Sequence, residues 1–316
     1  MHVRLLSVLD NDSETLLRMR AREHARDADS SVQHLQAALE AGKISAVCLY
    51  DDSDVPRGLS AWRWQDDAHS YAQVIMLYTP WESPPELGAA MVDYVFSTLR
   101  NTTDLKVLEV RMRDDSPGVR DAWVQHDLVI FERCRMALRL GHLPLPLIPT
   151  PDSFRVVPWG DDHQRQVTQL IAAAHQQSVD TVAVPDTPTD VIVETLRRLR
   201  MGDLPGAGNW NPAASLVVLD RYNQVVGCIA VAELQMDGTA VVKEIAVHPV
   251  YQRQGLARLL IVRSITACLK QGLVSVSLAV TTRNPGRTLC NQLGFQATHC
   301  GEVAIWWHDG RQLAWR

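Results

Sequence analysis

The chain has 316 residues, 46% of them apolar and 21% charged, with a formal net charge of −5 at neutral pH. Such a length suits two domains, each large enough to bury a core. The acidic balance gives no field for nucleic acid or an anionic membrane, and no apolar run nears the roughly 20 residues of a membrane helix.

Residues 1–12 hold an apolar stretch broken by Asp10, too short for a secretory segment, so the expected location is the cytoplasm. The first half then recurs in the second. Residues 46–51, 58–62 and 74–80 lie against 215–220, 227–231 and 243–249, all at an offset of 169. Ser116, Pro117 and Gly118 fall on Asn284, Pro285 and Gly286 at an offset of 168. A near-constant offset over about 70 residues reads as a duplicated domain.

Residues 141–153 carry Pro144, Pro146, Pro149 and Pro151, which remove amide donors and favour extended backbone. The stretch reads as a stiff linker, giving domains at 1–143 and 154–316 joined by 144–153. In the second half, the pattern predicts a strand at 155–158 and helices at 162–176 and 189–201. A hairpin of 215–220 and 225–234 follows, then a strand at 239–247 stopped by His248 and Pro249. A helix over 255–270, a strand at 274–280 and a short helix at 285–293 come next. Strands at 296–299 and 303–308 and a last short strand after Asp309 and Gly310 close the chain. The fold class is α/β: two tandem domains, each a mixed, mostly antiparallel sheet flanked by helices.

The six cysteines, Cys48, Cys134, Cys228, Cys268, Cys290 and Cys300, contain no CxxC pair, and reduced buried thiols are the expectation. His175, His299 and His308 have no ligand spacing and read as non-metal. Trp306 and Trp307 alternate faces, so one packs in the core while the other is a candidate to line the acceptor site.

The chemistry concentrates at residues 245–257. A β-branched strand ends at Pro249, a polar loop follows, and an amphipathic helix opens at Gly255. Amides of a first helical turn have no intrahelical partner, and the helix dipole adds positive potential there. Gly255 permits close approach and small Ala257 keeps an anion pocket open. Arg253 and Arg258 add fixed positive charge.

Here the sequence resembles the GNAT N-acetyltransferase superfamily. Gln252, Arg253, Gln254, Gly255, Leu256 and Ala257 match that family's acyl-CoA loop, and Ile245, Ala246 and Val247 match its pantetheine-pairing strand. Asn284, with Leu293, Gly294 and Phe295 after it, matches the last element on the CoA side. The paired layout is similar to that of mycothiol synthases. The resemblance implies acetyl-CoA as donor, an amine as acceptor with small molecules favoured over proteins, and direct attack in a ternary complex. It implies an oxyanion donor at the Val247 amide and Glu244 as general base, directly or through water. The family often places a Tyr acid where this chain has Cys290, which is either a proton donor or a packing thiol.

At an offset of 169 the loop falls on Ser83, Pro84, Pro85, Glu86 and Gly88, and Glu244 falls on Ile75. Two prolines in place of amide donors, and an acid in the anion position, mark the first copy as degenerate. The rival readings are an inactive acyl-CoA sensor or scaffold and, without the P-loop lysine, a nucleotide-binding protein. Residues 177–189 and 303–308 are the expected acceptor-side segments, and the oligomeric state is not readable.

Overall fold

The computed structural model describes residues 1–316 apart from 25–26, 103, 113–115, 142–145, 177, 186–188, 205–206 and 235–237. The first elements are β1 (His2–Leu6), α1 (Asn11–Glu23), α2 (Ala28–Glu40), β2 (Ser45–Tyr50), β3 (Pro56–Trp64) and β4 (Tyr71–Tyr78). They are followed by α3 (Pro85–Thr102), β5 (Val107–Met112), α4 (Val119–Gln125) and β6 (Val129–Arg139). Then come β7 (Phe154–Pro158), α5 (Gln164–His175), α6 (Asp180–Ala183), α7 (Thr189–Met201), β8 (Asn209–Trp210) and β9 (Leu216–Asp220). The chain closes with β10 (Val225–Leu234), β11 (Thr239–Val247), α8 (Leu256–Lys270), β12 (Ser275–Thr281), α9 (Gly286–Gln292) and β13 (Gln296–Trp307).

The compact units are not the two halves of the chain. Residues Met1–Glu132 with Gly301–Arg316 form one, and Arg133–Cys300 form the other. The division falls inside the two long strands β6 and β13. In the first unit the ladder runs β1-β2-β3-β4-β5, with residues 302–307 of β13 as the sixth strand beside β5. In the second it runs from residues 133–139 of β6 through β12, β11, β10 and β9 to β7. Each unit thus takes its last strand from the other half of the sequence. The domain ends expected at 143 and 154 therefore differ from the units: residues 141–153 connect β6 and β7, at opposite edges of the second unit's sheet. Pro144 lies outside the described residues.

Two expectations near the C-terminus are corrected. The predicted break between 299 and 303 does not occur, because β13 runs unbroken through Gly301. The predicted last strand is a short 3-10 turn, Arg311–Trp315, whose core residue Gln312 gives its side-chain amide to the Asp127 carbonyl and accepts from the Trp307 amide. Not all thiols are reduced either. Cys134 and Cys300 form a disulfide in the second unit, whereas Cys48, Cys228, Cys268 and Cys290 are free and buried.

The duplication is visible in backbone irregularities. In the first unit Leu49 pairs with Gly58 but Tyr50 with Pro56; in the second Val218 pairs with Gly227 but Leu219 with Val225. Further along, Ile75 is an extra residue in β4 and Lys243 an extra residue in β11. A bulge of one residue reverses the faces of everything beyond it. Ala240 and Val242 face α8, but beyond Lys243 it is Ile245 and Val247 that do so, while Ala246 packs with the α5 core.

In the first unit α3 and the loop before α4 are in close contact. A Cβ on Gly118 lies 2.1 Å from the Pro85 carbonyl oxygen, and Gly118 has φ +75. Gly118→Ala should therefore combine left-handed strain with overpacking and destabilise the protein by about 3 kcal/mol. Gly42→Ala, also at positive φ but with open space around it, should cost about 1 kcal/mol. Urea unfolding of the two variants checks the difference.

Candidate active site

The parallel pairing of β11 with β12 is short. Thr239, Ala240 and Val241 pair with Ser275, Val276 and Ser277, and the ladder ends there. β12 continues to Thr281 in register with β6, while β11 continues to Val247 in register with β10. Beyond Val241 the two strands diverge, which leaves one edge of β11 open.

Alternation of the antiparallel ladder decides which groups face that opening. The His248 amide donates to the Val226 carbonyl at 2.9 Å, so Gly227 and Val247 are a pair without mutual hydrogen bonds. The Val247 N–H then points away from β10 and has no acceptor among the described residues. Ile245, two residues back, points the same way, but its N–H donates to Glu244 Oε1 at 2.9 Å. Ala246 spends its backbone on Cys228 in β10. Of the three strand residues expected to meet a cofactor, Val247 offers the free donor.

Glu244 sits just past the bulge, opposite Ala230, on the α5 side of the sheet. Its Oε1 is 3.3 Å from His175 Nε2, and the two side chains are only 10% and 15% exposed. Burial pulls the imidazole down, but the Glu244 hydrogen bond and the charges of Glu244 and Asp180 outweigh it and raise the His175 pKa. The sequence reading gave His175 no role beyond that of a non-metal histidine. The signal was present, because it extends the buried stripe of Val167 and Ile171 at four-residue spacing.

On the other face, a 3-10 turn, Pro249–Tyr251, leads from β11 to α8. Tyr251 pins it, its hydroxyl donating to Asp220 Oδ2 at 3.1 Å. Gln252 ties back to the strand through Nε2 to the Val247 carbonyl, 3.1 Å. Arg253 adopts φ +63 and Gly255 φ +81, and residues 252–255 are exposed. Leu256 is buried as the first residue of α8, and Ala257 is partly covered. Among the described residues the amides of 253–258 have no acceptor, so this helix start presents a run of unpaired donors. The Arg258 guanidinium is engaged by Gln292, whereas Arg253 makes no ion pair among the described residues.

Two expected residues have other partners. Asn284 accepts from the Gly286 amide at 2.7 Å and donates to Asp180 Oδ2 at 2.5 Å. Asp180, on α6, also accepts from the Thr281 hydroxyl and lies 3.6 Å from Arg133. Cys290 is 5% exposed within the core that packs on α8, and burial pushes its thiol up to about 11. That environment is one of packing. Of the acceptor-side segments, Gln177 and residues 186–188 lie outside the described residues, and 303–307 pair with β5 in the first unit. Trp306 is a core residue there, while Trp307 lies under the Arg311 guanidinium.

The same place in the first unit is closed. The ladders put Met76, not Ile75, at the position of Glu244, since Met76 pairs with Ala61 as Glu244 pairs with Ala230. Thr79 then corresponds to Val247. Its N–H donates to Ser116 Oγ at 3.0 Å, and the same hydroxyl donates to its carbonyl at 3.1 Å. Only residues 80–84 separate that point from α3, against 248–255 before α8, so the phosphate-side loop is also shorter.

A family model described as an acetyltransferase (GNAT) domain matches residues 212–297. A GCN5-related N-acetyltransferase from Sphaerobacter thermophilus is similar in fold, with a TM-score of 0.60 at 14% identity over 96% of this chain and 95% of that one. A tandem GNAT protein from the clavulanic acid biosynthesis pathway, solved without AcCoA, has a TM-score of 0.50 at 16% identity over 97% and 98%. A glucosamine N-acetyltransferase region in a fungal multi-domain GH3 beta-N-acetylglucosaminidase has a TM-score of 0.54 at 10% identity, over 96% of this chain and 38% of that one. No curated protein matches in sequence. No helix among the described residues is long and apolar enough to cross a membrane.

Proposed function

We propose that this chain, which carries a GNAT acetyltransferase domain over residues 212–297, moves an acetyl group from acetyl-CoA to an amine. The observation that supports this most is the open edge of β11, where the unpaired Val247 N–H stands next to the unpaired amides of 253–258. A pyrophosphate fits the second group, and a thioester-bearing arm fits along the first.

In this reading the amine attacks the thioester carbonyl carbon while donor and acceptor are both bound. The Val247 amide takes the developing oxyanion, the C–S bond breaks, and the thiolate is protonated by water. Glu244 serves to remove the ammonium proton. Cys290 has no part, being packed in the core. The cofactor-side groups are the backbone of 253–258, the backbone of Ile245 and Val247, and the Arg253 side chain. Gln252, Gln254, Leu256, Ala257 and Arg258 shape or hold the loop, and Asn284 holds α6 through Asp180. The first unit is structural, because Ser116 occupies the donor that its own cofactor would need. The acceptor is a small amine, for which the part-buried Glu244 carboxylate supplies a charge partner.

The test is thiol release from acetyl-CoA with a panel of primary amines, with acetylated product confirmed by mass spectrometry. Amine-dependent thiol release with acetyl-amine formation is expected. Tight CoA binding without turnover across the panel would favour the sensor reading, and absence of CoA binding would end both.

A further inference from the structure

His175, a part-buried titratable group beside Glu244, takes no part in these steps. His175 ends α5, faces the same side of the sheet as Glu244, and bonds to it through Nε2. A second carboxylate, Asp180 on α6, acts on the same imidazole. Asp180 is itself held by Thr281, Asn284 and the more distant Arg133, so α6 is fixed to the end of β12. Helix α5 also directs the negative end of its dipole at its last residue. Among the described residues, the charges that act on the ring, Glu244 and Asp180, both favour its protonated form.

We infer that His175 and Glu244 act as one proton acceptor, the imidazole taking the proton that leaves the acceptor ammonium and the carboxylate holding the imidazolium. This rests on the N-acyltransferase reading. The ammonium N–H bond breaks and an imidazole N–H bond forms, so the pair passes from one net negative charge to none. The amine lone pair so freed attacks the thioester carbon. The imidazolium returns its proton to solvent, from which the departing thiolate takes one.

Chemistry favours the ring as the resting place. An imidazole near 6.5 lies about two pKa units closer to an ammonium than a carboxylate near 4.3, which makes the transfer about a hundredfold less uphill. The Glu244 carboxylate is already occupied on Oε1 by the Ile245 amide, and that bond fixes its orientation toward the ring. The arrangement is that of a carboxylate orienting an imidazole.

Two measurements on the full-length protein test this. The first is imidazole NMR of wild type and Glu244→Gln across pH, assigned with His175→Gln. His175 should titrate above about 6.5 in the wild type and fall in Glu244→Gln. The second is the pH profile of kcat/KM for acetyl transfer. Its acidic limb should follow the His175 midpoint, and His175→Gln should lose that limb and about a hundredfold in rate. His175→Ala should regain activity with added imidazole. If His175→Gln keeps the wild-type limb and rate while the wild type acetylates amines, the inference fails and the proposed function stands. If the wild type acetylates no amine, the proposed function fails and takes the inference with it.

Discussion

Gly255→Asp is expected to weaken CoA binding at least a hundredfold while leaving the protein folded. Gly255 caps α8 at φ +81, and a Cβ built there meets nothing within 4 Å. The new side chain therefore enters open space rather than the core. Asp tolerates the left-handed region better than most residues and is a favoured N-cap, so the helix start survives at a cost of about 1 kcal/mol. The loss lies in the ligand. A carboxylate placed among the amides of 253–258 satisfies donors that the diphosphate needs and repels its charge. A hundredfold loss corresponds to about 2.7 kcal/mol, within the range of one or two charge-assisted hydrogen bonds. Gly255→Asn carries nearly the same volume without the charge and should lose about tenfold, which separates repulsion from crowding. Isothermal titration with CoA reads both, and thermal melts should place both variants within about 5 °C of the wild type. Equal affinity for Gly255→Asp and wild type would remove the anion site from this helix start.

Much of that site was legible because its signals are local. Strands 225–234 and 239–247 and helix 189–201 have the boundaries that periodicity assigns, and α8 begins within one residue of its predicted start. The glycine before α8 stands where a strand gives way to a helix, and that junction depends on neighbours in sequence alone. What was not legible depends on distance along the chain. Nothing in residues 303–307 reveals that they pair with Val107–Met112, since an alternating strand fits either sheet. The domain ends drawn at the proline-rich stretch assume that a stiff segment separates bodies, whereas the strands on either side of it, β6 from Arg133 onward and β7, belong to one unit. A constant offset of 169 likewise passes over the connection from β3 to β4, one residue longer than that from β10 to β11: Trp62 pairs with Val74 and Val231 with Val242, so Glu244 falls on Met76 and not on Ile75. The Cys134–Cys300 pair joins strands from opposite halves, which no spacing rule anticipates. His175 was legible and missed: a histidine in line with Val167 and Ile171 needs a partner when that stripe is buried.

Glu244→Gln is expected to lower kcat/KM for acetyl transfer by about 10²–10⁴ with CoA affinity unchanged. The amide keeps the size of the carboxylate and can still accept from the Ile245 N–H, so the strand edge holds its shape. The groups proposed to meet CoA are backbone donors and the loop before α8, whereas Glu244 faces α5, so its charge does not enter cofactor binding. What disappears is the counter-charge for His175. The same change has a stability signature with a definite sign. His175 has a folded pKa above its unfolded value of about 6.5, so the stabilisation it draws from Glu244 is complete below that value and is lost as pH rises through the folded pKa. The melting temperature of wild type should therefore exceed that of Glu244→Gln by more at pH 6 than at pH 9. A purely local strand carboxylate would show neither the rate loss nor this pH trend. An unchanged kcat/KM in the variant, beside an active wild type, would move proton removal to another group, and a melting difference that grows toward pH 9 would reverse the charge assigned to the ring.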